Sequence, residues 1–255
     1  MGLYTYNSES IPMSDRIPRL KENLFKKMPE IESARAILIT ESYKETENEP
    51  IIIRRAKAFE HILDNIPIII RDEELIVGST TIAPRGCQTY PEFSFEWLEP
   101  EFETVATRSA DPFYISEKTK AELREVHKYW KGKTTSDLAT AYMAPEAIKA
   151  MEHNIFTTGN YFYNGVGHIT VKYEQVLEIG FEGIKAIAEG HLAKCNPGDG
   201  DFAKRSRFLQ AVIISCNAVM RYAKRYAVLA KEMAAKESNV ARKAELLTIA
   251  RNCER

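Results

Sequence analysis

The sequence predicts a mainly α-helical protein that contains a few short strands. Apolar residues recur at intervals of three and four along most of the 255 residues, which is the spacing of a buried helix face. Capping residues or prolines stand in front of several of these runs, as they do at helix starts. Residues 68–77 are the best strand candidate, because they hold short β-branched runs separated by a turn-prone segment.

Three helices are predicted in the first quarter of the chain, after a polar and aperiodic stretch at residues 1–13 that predicts a flexible amino terminus. Ser14 offers an N-cap for the first helix. Pro29 stands where the first turn of a second helix tolerates proline. The positions at helical spacing expected on one face of each helix are Ile17, Leu20, Leu24 and Met28, then Ile31, Ala34, Leu38 and Ser42, then Ile52, Ala56, Phe59 and Leu63.

Two strands and a long irregular segment are expected next. The runs 68–70 and 75–77 predict the strands, with 71–74 as the turn between them. Residues 80–112 contain several prolines and scattered aromatic residues without periodicity, which predicts a mostly irregular segment. Loops of this length are usually functional or interfacial.

Helices are predicted again from Ser116 to the carboxyl end. Ser116 caps a helix that carries Leu123, Val126 and Trp130, and Pro145 opens a short helix that runs to Met151. Three further apolar stripes follow, with the NPGDGD turn at 196–201 between the first two. These stripes are Tyr173, Leu177, Gly180, Ile184 and Ile187, then Leu209, Val212, Ile213, Cys216, Met220, Ala223 and Ala227, then the run 240–254. The last run reaches Arg255 without a stop signal, which predicts that the chain is a truncated part of a larger domain.

Composition and charge reduce the number of function classes that fit this chain. The chain has 35 basic and 36 acidic side chains, a balance that favours neither nucleic acid nor an acidic membrane surface as partner. No run of 18 apolar residues and no signal peptide is apparent, so neither membrane insertion nor secretion is expected. The four cysteines form no Cys-x-x-Cys pair and fit reduced thiols in a cytoplasmic protein.

The most informative segment is TTGNYFYNGVGHIT at residues 157–170. Its three glycines allow unusual backbone conformations or a close approach of another group. His168 stands among them and can donate, accept or transfer a proton near neutral pH. On local pattern the segment is either a ligand-facing loop or a glycine-rich turn whose histidine caps the next helix.

Four other motifs give weaker indications of a functional site. Gly165 and Gly167 form half of a dinucleotide fingerprint, but Thr170 occupies the third glycine position. Cys87 follows Arg85 and Gly86 in a loop and is either an activated thiol or, more simply, a small apolar filler. His153 and His168 have no companion ligands at metal-binding spacing, so no metal is expected. Six basic residues at 204–225 lie opposite an apolar stripe and predict a solvated helix face.

Four longer motifs resemble the glycyl radical enzymes. They are RAILITESYKETE at 35–47, IIIRDEELIVGSTTIAPRGCQTYPEFS at 68–94, YWKGKTTSDLA at 129–139 and GNYFYNGVGHITVKY at 159–173. Within that superfamily they are most similar to the B12-independent glycerol and 1,2-propanediol dehydratases. The resemblance runs from about residue 14 to the end and implies that residues 14–255 form an incomplete, amino-terminal part of a pyruvate formate-lyase-like domain with its ten-stranded α/β barrel.

The resemblance implies a cytoplasmic, anaerobic lyase that removes water from a diol and forms a homodimer when full length. In this family a radical SAM iron-sulfur partner installs a glycyl radical, which passes to a cysteine. His168, in the Gly-x-Gly-His motif, is implied to bind a substrate hydroxyl and to help protonate the departing water. Asn160 is implied as a second hydrogen-bond partner of the substrate.

The chain departs from the family pattern in one respect. None of its four cysteines stands in a Gly-Cys-x-Glu setting, and no Arg-Val-x-Gly-Tyr radical motif occurs. These 255 residues alone are therefore expected to be inactive. Two alternatives stay open at this point, namely another glycyl radical lyase such as a choline lyase or a formate acetyltransferase-like enzyme, and a non-catalytic helical interaction module.

Overall fold

The computed structural model describes residues 15–158 and 170–255, and helices dominate both ranges. The helices are α1 (Arg16–Phe25), α2 (Ala34–Glu45), α3 (Ile51–Asn65), α4 (Glu117–Trp130), α5 (Thr135–Ala141), α6 (Pro145–Glu152), α7 (Tyr173–Leu192), α8 (Phe202–Lys236) and α9 (Val240–Glu254). Strands β1 (Glu30–Glu32) and β2 (Gly86–Gln88) pair in parallel, with Ile31 opposite Cys87. The predicted class, mainly α with a few short strands, is confirmed for the described part of the chain.

Helix α8 organises the packing, since α3, α7 and α9 all lie against it. Its 35 residues span about 52 Å at 1.5 Å per residue. Small side chains let its neighbours approach closely, and five alanines of α8 are buried: Ala211, Ala218, Ala227, Ala230 and Ala234. Arg221 ties α8 to α3, because its guanidinium donates to Asp64 at 2.8 and 2.9 Å and to Glu60 at 2.6 Å.

Two apolar clusters form most of the core. The first joins α2, α3 and α4 with the irregular segment around Phe95 and Phe102, and Trp130 closes it with its indole N–H donating to Thr40 at 2.8 Å. The second joins the end of α8 to α9 and includes Ile70. Tyr222 packs against both clusters, so α8 connects them.

The expected start of the second helix is wrong. Pro29 does not open a helix; residues 30–32 form β1, and α2 begins at Ala34. The N–H of Glu30 donates to the carbonyl of Arg85 and the N–H of Ile31 to that of Tyr114, so partners more than 50 residues away bind these backbone groups. The first helix also ends at Phe25, short of Met28.

The expected strands at 68–70 and 75–77 are wrong too. Ile70 is buried against α8 and α9, and Ile68 and Val77 pack against the same cluster without forming a strand. Ile76, in the second run, is 91% exposed. The intervening turn does form, since Arg71 donates to the Glu74 carboxylate from both its backbone and its side chain at 2.8 Å.

The apolar faces expected in the first helix and at the start of α7 are not buried, since Ile17, Leu24, Tyr173 and Leu177 are exposed. Other local predictions are confirmed. The Ser116 hydroxyl accepts from the N–H of Thr119 at 3.1 Å and caps α4, and Pro145 is in the first turn of α6. Residues 80–112 are irregular apart from β2 and two short 3-10 turns at Glu99–Glu101 and Val105–Thr107. The turn at 196–201 separates α7 from α8. Ser14 and the amino terminus at 1–13 lie outside the described residues.

Candidate functional site

The loop that the sequence singles out lies largely outside the described residues, and so do both predicted site residues, His168 and Asn160. The structure describes its two flanks. Helix α6 ends at Glu152 before the loop, and α7 begins at Tyr173 after it. The roles given to His168 and Asn160 therefore remain predictions.

The described residues enclose a cavity of about 660 Å³ between the β1–β2 pair, the irregular segment and α4. Ile31 of β1 and Cys87 of β2 lie in its wall, together with His127 of α4. Aromatic side chains supply much of the remaining lining, namely Tyr90, Phe93, Phe95, Trp97 and Phe113. Volume and lining are those of a site for a small, largely apolar group.

Arg35 of α2 fixes one wall of this cavity. Its guanidinium donates to the Glu92 carboxylate at 2.5 and 3.1 Å and to the carbonyl of Thr89 at 3.2 Å. It also stacks over the ring of Tyr90, 3.8 Å from the centroid. A planar guanidinium suits this combination of paired hydrogen bonds and ring contact better than a lysine would.

Glu32 and Arg71 fix the chain that leads into β2. The Glu32 carboxylate accepts from the N–H groups of Ile82 and Ala83 at 3.1 and 2.7 Å. Arg71 donates to the carbonyls of residues 81, 82 and 83 at 2.8 to 3.1 Å. Gly86 is required beside them, because a Cβ there would stand 2.8 Å from Glu32 Oε1 and closer still to the Thr81 side chain.

His127 is the buried titratable group of the cavity. Its ring stacks on Phe95 with centroids 4.2 Å apart, and Nδ1 lies 3.3 Å from Glu99 Oε2. Burial lowers the pKa of His127, and the nearby Glu99 carboxylate opposes that shift only in part. The imidazole is therefore neutral at neutral pH.

Cys87 is half-buried in the same cavity, and burial raises the pKa of its thiol. The neighbouring Arg85 guanidinium lies over the ring of Phe25, 5.2 Å from its centroid. An activated thiolate needs a cation or a helix N-terminus beside it. The geometry thus favours the apolar-filler interpretation of Cys87 over the nucleophile.

Metal and nucleic-acid sites find no support in residues 15–158 and 170–255. No group of three or more His, Cys, Asp or Glu side chains in these ranges is arranged to hold a metal ion. Of the six basic residues at 204–225, Arg221 pairs with α3, and Arg225 donates to the carbonyls of Leu63 and Ile66 at 2.6 and 2.7 Å. The solvated-face prediction is therefore wrong for these two, because they join α8 to α3.

The sequence analysis missed Arg35, Glu92 and His127. Arg35 and Glu92 are 57 residues apart and belong to two separate motifs, so no local pattern pairs them. His127 is on the predicted apolar face of α4, four residues after Leu123, and that position is its only sequence signal.

Comparison with known families identifies the class of protein to which this helical chain belongs. The family model described as pyruvate formate lyase-like matches residues 12–255, so the chain belongs to this family. No helix in the described part of the chain is long and apolar enough to cross a membrane.

Several individual proteins and solved structures are similar to this chain. A Roseburia inulinivorans structure described for 1,2-propanediol dehydration is 65% identical with a TM-score of 0.91, and it covers 95% of this chain and 29% of its own. A glycerol-bound B12-independent glycerol dehydratase from Clostridium butyricum is 52% identical with a TM-score of 0.90, covering 95% of this chain and 31% of its own. A (2S)-3-sulfopropanediol dehydratase from Klebsiella oxytoca is 34% identical over 98% of this chain and 31% of its own length. The 255 residues thus span about a third of the length of these relatives.

Proposed function

We propose that this chain is the amino-terminal part of a glycyl radical diol dehydratase, which removes water from 1,2-propanediol or glycerol to leave an aldehyde. The observation that carries the proposal is the graded similarity. Identity is 65% and 52% to the structures described with 1,2-propanediol and glycerol, but 34% to the sulfopropanediol dehydratase. Uncharged diols therefore fit better than sulfonated ones.

In this proposal His168 binds a hydroxyl of the diol and donates a proton to it as the C–O bond breaks. Hydroxide is a poor leaving group, and a positioned general acid with a near-neutral pKa contributes a factor of about 10² to 10⁴. Asn160, eight residues earlier, offers an amide N–H and a carbonyl oxygen to the same substrate. The two residues would hold the diol in one orientation.

A glycyl radical, when present, supplies the hydrogen-atom abstraction that makes the adjacent C–O bond breakable. Neither the Gly-Cys-x-Glu nor the Arg-Val-x-Gly-Tyr motif occurs in these 255 residues, so this chain contributes substrate binding and proton donation. The proposal includes a radical SAM iron-sulfur activating enzyme, a homodimer as the complete enzyme, and an anaerobic cytoplasm.

The alternative keeps the radical chemistry and changes the substrate. The 34% identity to a sulfopropanediol dehydratase over nearly the whole chain supports it. A sulfonate would require a cationic group beside the diol site. Assaying the diol and its sulfonated analogue side by side separates the two candidates.

A hybrid enzyme tests the proposal. This chain replaces the matching part of the Roseburia inulinivorans enzyme, and the product is activated anaerobically and assayed with 1,2-propanediol. The hybrid is expected to turn over, and His168→Ala should lower kcat by about 10² to 10⁴. His153→Ala is the matched control, because this exposed histidine is fifteen residues away and should be silent. Unchanged turnover in the His168 variant would remove the role given to that residue.

A further inference from the structure

The cavity beside β2 is set into the packed core of this chain. Its described lining residues all lie between positions 31 and 127, far along the sequence from the loop at 157–170. Ile31, Phe95, Leu98 and Val105 line it and also belong to the first apolar cluster. Close packing behind these side chains holds the cavity in a fixed shape, which is usual for a small-molecule site.

The described residues give the cavity no uncompensated charge. Arg108 lines it, and its guanidinium is paired with the Glu101 carboxylate. Cys87 also lines it, and burial raises the pKa of its thiol, so this group keeps its proton at neutral pH. Burial likewise keeps the His127 imidazole neutral, because it lowers the pKa of that ring. A charged ligand would lose water here without gaining a counter-charge, so a neutral ligand is favoured.

His127 offers the cavity a hydrogen-bond acceptor. The residue is only 4% exposed, and its Nδ1 lies 3.3 Å from Glu99 Oε2. An ionised carboxylate can only accept, so Nδ1 carries the proton and Nε2 keeps a lone pair. Nε2 has no hydrogen-bond partner among residues 15–158 and 170–255. A donor brought into the cavity would pair with this nitrogen, which is costly to leave unsatisfied.

Aromatic side chains determine the shape of a suitable ligand. Trp97 and Tyr90 are 52% and 45% exposed and stand where the cavity meets solvent, while Phe93 and Phe113 are half-buried. Aromatic rings pack well against another ring in offset or edge-to-face arrangements. The volume of about 660 Å³ is ample for a planar molecule of one or two rings.

We propose that this cavity binds a neutral, planar aromatic compound that carries one hydroxyl or ring N–H, and that this group donates to Nε2 of His127. The ring of the ligand packs against the aromatic lining. An aliphatic diol would leave that lining largely uncovered, and an anion would find no unpaired cation among the described lining residues. The proposal concerns binding alone and does not require that the complete enzyme dehydrates a diol.

Two probes of matched size test the proposal in the hybrid enzyme. 2-Naphthol has a hydroxyl that, like that of tyrosine, keeps its proton at neutral pH, and naphthalene lacks this group. Equilibrium dialysis gives both dissociation constants for the unsubstituted hybrid and for hybrids with His127→Phe or His153→Phe. His127→Phe keeps an aromatic ring against Phe95 and removes Nε2. His153→Phe is the matched control, because this histidine is exposed and does not line the cavity.

We expect the unsubstituted hybrid to bind 2-naphthol about five- to tenfold more tightly than naphthalene, since one hydrogen bond distinguishes the probes. This preference should disappear with His127→Phe and persist with His153→Phe. The absence of saturable binding, equal affinity for the two probes, or a preference that survives His127→Phe would each overturn the proposal.

Trp97→Ala keeps the test decisive if the His127→Phe hybrid does not fold. Trp97 is half exposed, so its removal leaves the core intact. Loss of its ring should weaken the binding of both probes by about two- to tenfold and leave the preference for 2-naphthol in place. Unchanged affinities would mean that the probes bind elsewhere, and the proposal would then be wrong.

Discussion

Burial of the His127 imidazole makes the folded chain sensitive to acid. The folded pKa is lowered because the ring stacks on Phe95 and is shielded from water, although Glu99 partly offsets this. An unfolded histidine takes up its proton near pH 6.5. Between that pH and the lower folded pKa the unfolded chain binds more protons, so stability falls as the pH falls.

Measuring the free energy of unfolding between pH 7.5 and pH 5.5 tests this acid sensitivity. We expect the native chain to lose stability over this interval, by at most about 1.4 kcal/mol for each unit of lowered pKa. His127→Gln removes the titrating group and should flatten this part of the pH profile, whatever its effect at pH 7.5. His153→Gln, at an exposed position, should leave the profile as it was. A profile equally steep in the His127 variant would show that other groups cause the acid sensitivity.

At the scale of single elements, two of the three glycines in α7 have opposite requirements. Gly180 has a backbone conformation that is essentially restricted to glycine, so Gly180→Ala should cost about 1 to 3 kcal/mol. Gly190 has helical geometry, and an added Cβ would meet no atom within 4 Å. Gly190→Ala should therefore stabilise the chain by about 0.5 to 1 kcal/mol. Urea unfolding followed by circular dichroism compares them. A Gly180→Ala variant as stable as the native chain would show that glycine is not required at the break, and a destabilising Gly190→Ala would contradict the prediction for that position.

The sequence predicts those elements whose signals are local. Ser116 caps α4 and Pro145 opens α6 because a cap or a fixed φ acts within one helical turn. The strands are missed because β1 and β2 are three residues each and exist only through pairing across more than 50 positions. The isoleucines at 68–70 do not form a strand; Ile70 is buried against α8 and α9, and Ile68 packs against the same cluster.

The same distinction holds for the candidate site. The Gly-x-Gly-His motif is contiguous, so His168 and Asn160 are proposed from sequence alone. The cavity beside β2 depends on Arg35 and Glu92, which meet only after α2 and the irregular segment pack together. No pattern within either segment specifies that pairing.

At the scale of the whole molecule, ion pairs connect the first described helix to the last. Arg16 of α1 pairs with Glu245 of α9 and donates to the carbonyl of Glu73 at 2.7 Å. Arg19 holds the Glu73 carboxylate at 2.8 Å and lowers its pKa. Helix α1 buries none of its own side chains, so these charges are its main attachment among the described residues.

The attachment of α1 should therefore depend on salt. Raising the ionic strength from 0.1 to 1 M shortens the screening length from about 10 Å to about 3 Å and weakens exposed ion pairs. We expect amide hydrogen exchange in α1 to accelerate several-fold, while the amides around Leu246 and Ala250, which are buried in the second cluster, stay unchanged. Arg16→Gln should produce the faster exchange already at low salt, whereas Lys21→Gln, at an exposed cation on the same helix, should not. If neither salt nor the Arg16 substitution changed the rate of amide exchange in α1, apolar contacts of Ile17 and Leu24, rather than the ion pairs, would hold the helix in place.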